Sequence, residues 1–289
     1  MKVDLHIHTR TGSDGNLTVE EVFREAKRRN IGFMSITDHD STDAQHKAIT
    51  LAKEHGIGYI TGIELNVTFL YSGRAISLDF LGYQYDIENR ELQNKLRLTR
   101  EHRERRARQI LENLNPEFAK EGIPGLTGED IKKIQGSVDG AAFGRPHIAD
   151  YLVKKGIVKN RQEAFDKYLV RFDVPKYPLS LDEASRLSRN AGGKLVFAHP
   201  GDPGGTSLAG ITHDLSEQAR IIEKYMLEYI DGIECWHPGN GVLATAAYVA
   251  LARKHHLLMT GGSDCHQKPI IMGTVEIPDW VAEQFKVLR

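Results

Sequence analysis

The chain begins MKVDLHIH, residues 1–8, a strand-like run in which two histidines are separated by one residue. Successive side chains of an extended strand point to opposite faces, so His6 and His8 lie on the same face, with Cβ atoms about 7 Å apart. Both imidazole rings can therefore reach one divalent cation. An isolated His-x-His pair is equally compatible with core or surface positions, so the metal hypothesis depends on the rest of the chain.

Length and composition predict an ordinary globular protein. The 289 residues are 40% hydrophobic, enough for one large domain or for a domain with an insertion. Lys and Arg total 38 against 39 Asp and Glu, so no bulk charge favours nucleic acid or membrane as a partner. The two cysteines, Cys235 and Cys265, are predicted to be free thiols, and the absence of a signal-like or membrane-spanning run predicts a cytoplasmic protein.

Strands and helices alternate at both ends of the chain. Capping-box spacing at Thr18 and at Ser180 predicts two helix starts, and apolar runs ending in polar residues predict strands near 3–7, 33–36, 59–64, 76–85, 195–198, 232–236 and 257–260. Between about 88 and 179 the sequence is polar and mostly helical in pattern. The sequence therefore predicts an α/β domain formed by residues 1–87 and 180–289, with an inserted helical cap formed by residues 88–179.

Polar residues recur in or just after the predicted strands. In a parallel βα barrel the strand C-termini meet at one face, where catalysis takes place, so we expect these residues to converge: His6, His8, His39, Glu64, Asp79, His199, His237, Asp264 and His266. Imidazole and carboxylate ligands without thiolate pairs suit catalytic Zn, Mn or Fe. Because one ion needs about three protein ligands, the set predicts two or three metals.

Charge suggests a phosphorylated substrate. Four carboxylates, those of Asp14, Glu64, Asp79 and Asp264, against three divalent cations leave a formal charge of about +2, which favours a phosphate dianion. In the insertion, Arg100, Arg103 and Arg106 recur every third residue, which is typical either of a phosphate-binding helix face or of a solvated charged helix.

A second phosphate-binding pattern lies later in the insertion. Gly144-Arg145-Pro146-His147 stands at a predicted helix start, and both helix N-termini and arginine favour phosphate.

The spaced motifs resemble those of the polymerase and histidinol phosphatase (PHP) family. They are Asp4-Leu-His-Ile-His8, Ser13-Asp14-Gly15, Thr37-Asp38-His39-Asp40, Gly62-Ile63-Glu64, Ala198-His199-Pro200-Gly201 and Gly262-Ser263-Asp264-Cys265-His266. The resemblance implies a distorted (βα)7 TIM-like barrel with two or three metals, held by His6, His8, Asp14, His39, Glu64, His199, Asp264 and His266. The insertion looks like the small cap of stand-alone bacterial members similar to the nucleotide and RNA-end phosphoesterase branch. Substrate phosphates are held there by residues matching Arg103, Arg145 or His147.

One position departs from the family pattern. Asp79 stands where relatives usually carry a histidine ligand. A carboxylate is a hard, anionic ligand, so we include Asp79 among the metal ligands and expect it to favour Mn or Fe over Zn. The change also points to a different substrate, for which a cyclic phosphodiester is one candidate.

The sequence predicts a metal-dependent phosphoesterase acting on a small phosphorylated molecule such as a nucleotide, sugar phosphate or cyclic phosphate ester. A hydroxide bridging two metals, most simply Mn²⁺ with Fe²⁺ or Zn²⁺ as alternatives, attacks phosphorus. His199, His237 or His147 protonates the leaving group, and His237 and His147 also contact the substrate. The alternatives are a 5′–3′ exonuclease acting on RNA ends, a metal-dependent C–N hydrolase, and a silent binding module.

Overall fold

The computed structural model describes residues 1–136 and 144–285. Contacts within the chain divide it into two compact units, Met1–Gln93 with Pro178–Arg289 and Asn94–Tyr177. The second unit lies inside the segment that the sequence predicts as an insertion. Among the described residues, no helix combines the length and the apolar character that a membrane span requires.

A parallel three-stranded sheet opens the first unit. Its strands are β1 (Lys2–Asp4), β2 (Ile31–Met34) and β3 (Gly58–Tyr59), and they lie in the order β1-β2-β3. Helices α1 (Val19–Arg28) and α2 (Gln45–His55) make the two crossovers. The predicted capping box is confirmed, because the Thr18 side chain accepts from the Glu21 N–H while Glu21 accepts from the Thr18 N–H.

A mixed five-stranded sheet follows, in the order β4-β5-β6-β7-β8. β4 pairs antiparallel with β5, β5 antiparallel with β6, and the last three strands run parallel. The strands are Gly62–Tyr71, Arg74–Tyr83, Lys194–Phe197, Gly232–Trp236 and Leu258–Gly261. Its helices are α7 (Leu181–Asn190), α8 (Leu215–Tyr225) and α9 (Val242–Lys254), and they complete the predicted α/β class.

The prediction that Glu64 ends a strand is wrong. Glu64 is the third residue of β4, which continues to Tyr71 and turns back into β5. The turn uses Ser72 and Gly73, both with positive φ (50° and 75°), so the chain forms a tight antiparallel hairpin in place of a helical crossover. The strict alternation of strand and helix therefore stops at this point.

Hydrogen bonds join the two sheets at both ends. The Leu5 N–H donates to the Gly261 carbonyl at 3.0 Å, and Ile7 forms a parallel bridge with Cys265. At the other end, His39 forms a parallel bridge with Glu64. These contacts carry the chain segments beyond β1 and β2 alongside the ends of the larger sheet.

The described elements of the second unit are helical. They are the part of α3 (Arg90–Lys120) beyond Gln93, α4 (Gly128–Gly136), α5 (Arg145–Lys154), α6 (Arg161–Ala164) and a π-helical turn, Phe165–Leu169. Their shared core includes Ile110, Leu114, Phe118, Ile148 and Tyr168. This unit therefore buries an apolar core of its own.

Candidate metal centre

Nine side chains of the first unit form three groups with metal-binding geometry. In each group the ligand atoms lie within 4.8 Å of one another. The first group is His8, Asp14, His39 and His266, the middle group is His6, His8, Glu64 and Asp264, and the third group is Glu64, Asp79 and His199. The middle group shares His8 with the first group and Glu64 with the third. Every residue that the sequence predicts as a metal ligand belongs to one of these groups.

The middle group is the most compact. Nε2 of His6 lies 3.1 Å from Nε2 of His8, as expected for two histidines on one face of an extended segment. Glu64 Oε2 lies 3.4 Å from the His6 nitrogen and 3.2 Å from the His8 nitrogen. Asp264 Oδ1 lies 3.3 Å and 3.2 Å from the same two nitrogens.

These separations fit a divalent cation. A tetrahedral site with bonds of about 2.1 Å has ligand atoms about 3.4 Å apart, which is close to the spacing in the middle group. Asp264 Oδ1 is buried and accepts no well-formed hydrogen bond from the described residues. A buried carboxylate oxygen without a donor is costly, and a cation would remove that cost.

Two histidines are oriented so that Nε2 can act as a ligand. The Nδ1–H of His6 donates to Glu234 Oε1 at 3.0 Å, and the Nδ1–H of His266 donates to the Asp264 carbonyl at 2.9 Å. When these rings are neutral, as cation binding requires, Nε2 is the lone-pair nitrogen in both.

His237 has the opposite arrangement. Its Nδ1 accepts from the Gly239 N–H at 3.0 Å, which places the ring proton on Nε2, 3.4 Å from Asp264 Oδ2. A histidine held in this tautomer presents a proton and not a lone pair at Nε2.

Glu64 connects the groups. Its Oε1 lies 3.0 Å from His199 Nε2, and its Oε2 lies 3.0 Å from His39 Nδ1 as well as near His6 and His8. Burial alone would raise the pKa of this carboxyl, but the neighbouring His39 and His6 hold the pKa well below its usual range. Glu64 is therefore an anion in contact with members of all three groups.

The surrounding carboxylates favour positive charge on the imidazoles. Burial would lower the pKa of His266, yet Asp14 and Asp264 raise it to about 10. The pKa of His199 is raised to about 9 against the same effect of burial, mainly by Glu64. The site thus holds protons when cations are absent, and cation binding would release them.

The sequence has known relatives over most of its length. A family model, the PHP domain, matches residues 4–172, which is more than half of the chain. The chain belongs to the PHP family.

Two curated relatives and one solved structure extend this result. The chain is 31% identical to the 5′-3′ exoribonuclease Rnm of Escherichia coli, over 91% of this chain and 85% of that protein. It is also 31% identical to a 3′,5′-nucleoside bisphosphate phosphatase of Chromobacterium violaceum, over 91% and 87%. A structure from Bifidobacterium adolescentis described as a metal-dependent phosphoesterase superposes with a TM-score of 0.80 at 30% identity, covering 98% and 94% of the two chains. The chain is accordingly a metal-dependent phosphoric ester hydrolase of the PHP family.

Asp79, the residue that departs from the PHP pattern, lies on β5 in the third group. One of its oxygens accepts from the Asn66 side-chain amide and the other from the Thr206 hydroxyl. Both oxygens of Asp79 therefore accept hydrogen bonds from neutral donors. Its carboxylate is held in place by neighbours on β4 and in the loop after β6.

Sequence reasoning missed Glu234. This residue lies on β7 with its side chain fully buried, and its carboxylate contacts both the His6 ring and the backbone N–H of His199, at 3.0 and 2.8 Å. Burial alone would raise its pKa, but His6 lowers it below the usual range. A signal was available, because a glutamate inside the apolar run Gly232-Ile233-Glu234-Cys235-Trp236 requires a polar partner.

The phosphate-binding candidates of the insertion all belong to the second unit. Arg145, the first residue of α5, pairs with Asp173 at 2.8 Å, and the His147 Nδ1 accepts from the Gly144 N–H at 3.1 Å. Arg106 is buried and contacts Asp173 and the Val174 carbonyl. Arg103 lies on α3. The prediction of free thiols is confirmed, since Cys235 and Cys265 are both unpaired and buried.

Proposed function

We propose that the three ligand groups bind two or three divalent cations. The observation that carries the proposal is the middle group, in which two imidazole nitrogens and two carboxylate oxygens face one another at 3.1 to 3.4 Å. Because Glu64 and His8 each belong to two groups, cations bound in neighbouring groups would share a ligand. Mn²⁺ or Fe²⁺ is the expected occupant, since the third group contains two carboxylates and one imidazole.

The proposed substrate is a small phosphorylated molecule, most simply a nucleotide. The similarity to a nucleoside bisphosphate phosphatase over 91% of the chain supports this choice. The proposal extends to the second unit, where Arg145, Arg103 and His147 would bind a substrate phosphate. Arginine and a histidine near a helix N-terminus are suited to that role.

In the proposed mechanism the nine ligands would hold the cations and His237 supplies a proton. Divalent cations, when bound, polarise a phosphoryl oxygen and acidify water. His237 keeps its proton on Nε2 because the Gly239 N–H occupies Nδ1, so Nε2–H is available to protonate the leaving alkoxide. His199 is the weaker candidate for this role, because its Nε2 faces Glu64 Oε1 and because His199 is itself a member of the third ligand group.

The proposed architecture of the first unit is a distorted barrel. The bridges Ile7–Cys265 and His39–Glu64 support it, because each links the end of the small sheet to the end of the large one. The antiparallel β4–β5 hairpin accounts for the distortion. In this arrangement residues 88–179 form an inserted cap.

A second candidate function is 5′–3′ exonuclease activity on RNA. The similarity to the exoribonuclease Rnm, at the same identity as the phosphatase, favours it. Both functions require hydrolysis of a phosphoric ester at the same metal centre, so they differ in the length of substrate that is accepted.

The test is phosphate release by the Mn²⁺-loaded full chain, with the chelator-stripped protein as the control. The panel contains nucleoside monophosphates, 3′,5′-bisphosphates, sugar phosphates, cyclic phosphates and 5′-phosphorylated RNAs of increasing length. We expect the highest kcat/KM on a small nucleotide and no gain with RNA length. Mononucleotides released from RNA, at rates that rise with length, would favour the exonuclease instead. Metal-loaded protein that released nothing from any of these substrates would contradict both functions.

A further inference from the structure

Glu234 is a buried carboxylate that contacts two of the proposed metal ligands, His6 and His199. It lies in the middle of β7, its side chain is 0% exposed, and it belongs to none of the three ligand groups. Ion and hydrogen-bond partners are nevertheless available on two sides, one from a residue beyond β1 and one from a residue beyond β6. A carboxylate that is buried this completely is retained only where its oxygens are satisfied.

The first partner is the ring of His6. Because a carboxylate can only accept, the 3.0 Å contact to Glu234 Oε1 places the ring proton on Nδ1. In the neutral ring that a cation requires, this assignment leaves the Nε2 lone pair directed at the middle group, 3.1 Å from His8 and 3.3 Å from Asp264. Glu234 thus determines which nitrogen of His6 is able to bind a cation.

The second partner is the main chain of His199. Its N–H donates to Glu234 Oε2 at 2.8 Å, and its φ is +26°, a backbone conformation that non-glycine residues rarely adopt. The contact holds the backbone at the point where the His199 ring turns towards Glu64, 3.0 Å away. Backbone strain of this kind persists where the surroundings fix it.

We propose that Glu234 is a positioning residue that orients His6 in the second ligand group and His199 in the third at the same time, through its two carboxylate oxygens. The inference rests on the proposed metal binding. Glu234 would then be a second residue, besides the shared ligand Glu64, that connects the middle group and the third group.

Glu234→Gln tests this role with almost no change in shape. An amide offers one acceptor and one donor, whereas both partners of Glu234 are donors. If the amide oxygen accepts from the His199 N–H, the amide nitrogen faces His6 Nδ1 and forces the ring proton onto Nε2. If the amide is reversed, the buried His199 N–H meets a second donor. In either orientation one ligand group is disturbed.

Asp38→Asn is the matched control. Asp38 is another fully buried carboxylate beside the site, but among the described residues its hydrogen-bond donors are the backbone N–H and the hydroxyl of Thr9, both at 2.6 Å. Because a hydroxyl can accept as well as donate, asparagine can keep both contacts. This variant therefore removes a buried charge without reorienting any of the nine residues.

Mn²⁺ binding to the metal-stripped full chains is measured by electron paramagnetic resonance. We expect Glu234→Gln to weaken binding about 10- to 100-fold while unfolding stays cooperative, and Asp38→Asn to bind as the wild type does. In the Zn²⁺-loaded wild type, ¹H–¹⁵N imidazole spectra should show the His6 proton on Nδ1, with His6→Gln used for assignment. This resonance should be shifted or lost in Glu234→Gln.

The outcomes separate the two proposals. Wild-type Mn²⁺ affinity in Glu234→Gln, or a His6 proton on Nε2 in the Zn²⁺-loaded wild type, would overturn the role of Glu234 alone. If the wild type bound no Mn²⁺, the metal proposal and the Glu234 inference would both be overturned. Should the glutamine variant fail to fold, the wild-type spectrum decides the question without it.

Discussion

Two clusters of charged side chains, one in each unit, meet their partners in different ways. In the second unit Asp173 lies between two guanidinium groups, with Arg106 and Arg145 as partners, so opposite charges meet within the chain. In the first unit the atoms that meet are of one kind. His6 Nε2 and His8 Nε2 face Glu64 and Asp264 oxygens, and with neutral imidazoles each of these atoms presents a lone pair to the others.

The two clusters differ in what satisfies their polar atoms. In the arginine–aspartate cluster donors meet acceptors, because each Asp173 oxygen accepts from one guanidinium. The histidine–carboxylate cluster becomes favourable only when positive charge is added, either as protons on the imidazoles or as cations. We therefore expect loss of the buried Arg106 to act through stability, and loss of a histidine–carboxylate member to act through metal content and turnover.

The largest expected effect comes from His8→Ala. His8 belongs to two ligand groups, so its loss removes a ligand from each. We expect kcat for phosphate release to fall on the order of 10³-fold or more, together with a lower Mn²⁺ content after dialysis. The control is His46→Ala, because His46 is exposed and pairs only with the exposed Glu88 in the contacts described. A His8→Ala protein with near-normal turnover would remove the middle group from the mechanism.

The next effect is on stability and concerns Arg106→Ala. The change removes a buried guanidinium with contacts to Asp173 and the Val174 carbonyl, so we expect the free energy of unfolding to fall by about 3 kcal/mol in urea titrations. Arg145→Ala, which leaves Arg106 on Asp173, should cost less than about 1 kcal/mol but raise KM about tenfold. Equal loss of stability in the two variants would contradict the distinction between a structural and a substrate-binding arginine.

The helix starts and several strands could be predicted from the sequence, because the patterns that specify them are local. The capping box at Thr18 and the Ser180 side chain that accepts from the Glu183 N–H both begin helices as predicted. β7 was predicted with its observed bounds, Gly232–Trp236. The β4–β5 hairpin was not, because an antiparallel pair depends on contacts between strands, which periodicity along one strand does not report.

The same limit applies to the site. Polar residues in or just after the predicted strands gave eight of the nine residues that converge, and the ninth, Asp14, came from the resemblance to the PHP family. The role of Glu234 was not predicted, because its partners, His6 and His199, lie far from it in sequence and are recognised only through three-dimensional contacts. Including it lowers the formal charge of the centre by one relative to a count that stops at four carboxylates.

The smallest change in Mn²⁺ binding is expected at Asp79, which has features of both clusters. Asp79 resembles the members of the second-unit cluster, because Asn66 and Thr206 donate to it, yet its atoms also lie within 4.8 Å of Glu64 and His199 ligand atoms. Asp79→Asn separates the two roles. Asparagine can keep both hydrogen bonds, since the Thr206 hydroxyl can accept, so only the negative charge is lost.

If Asp79 is a ligand, Mn²⁺ titrations of Asp79→Asn should show one cation bound about tenfold more weakly, with stability of the metal-free protein within about 0.5 kcal/mol of the wild type. Asp79→His is the companion variant, because an imidazole in place of the carboxylate should move competition between the two ions towards Zn²⁺. Identical binding isotherms for wild type and Asp79→Asn would assign Asp79 to the hydrogen-bond network instead. The third group would then keep only Glu64 and His199, too few for a cation of its own, and the centre would be reduced to two ions.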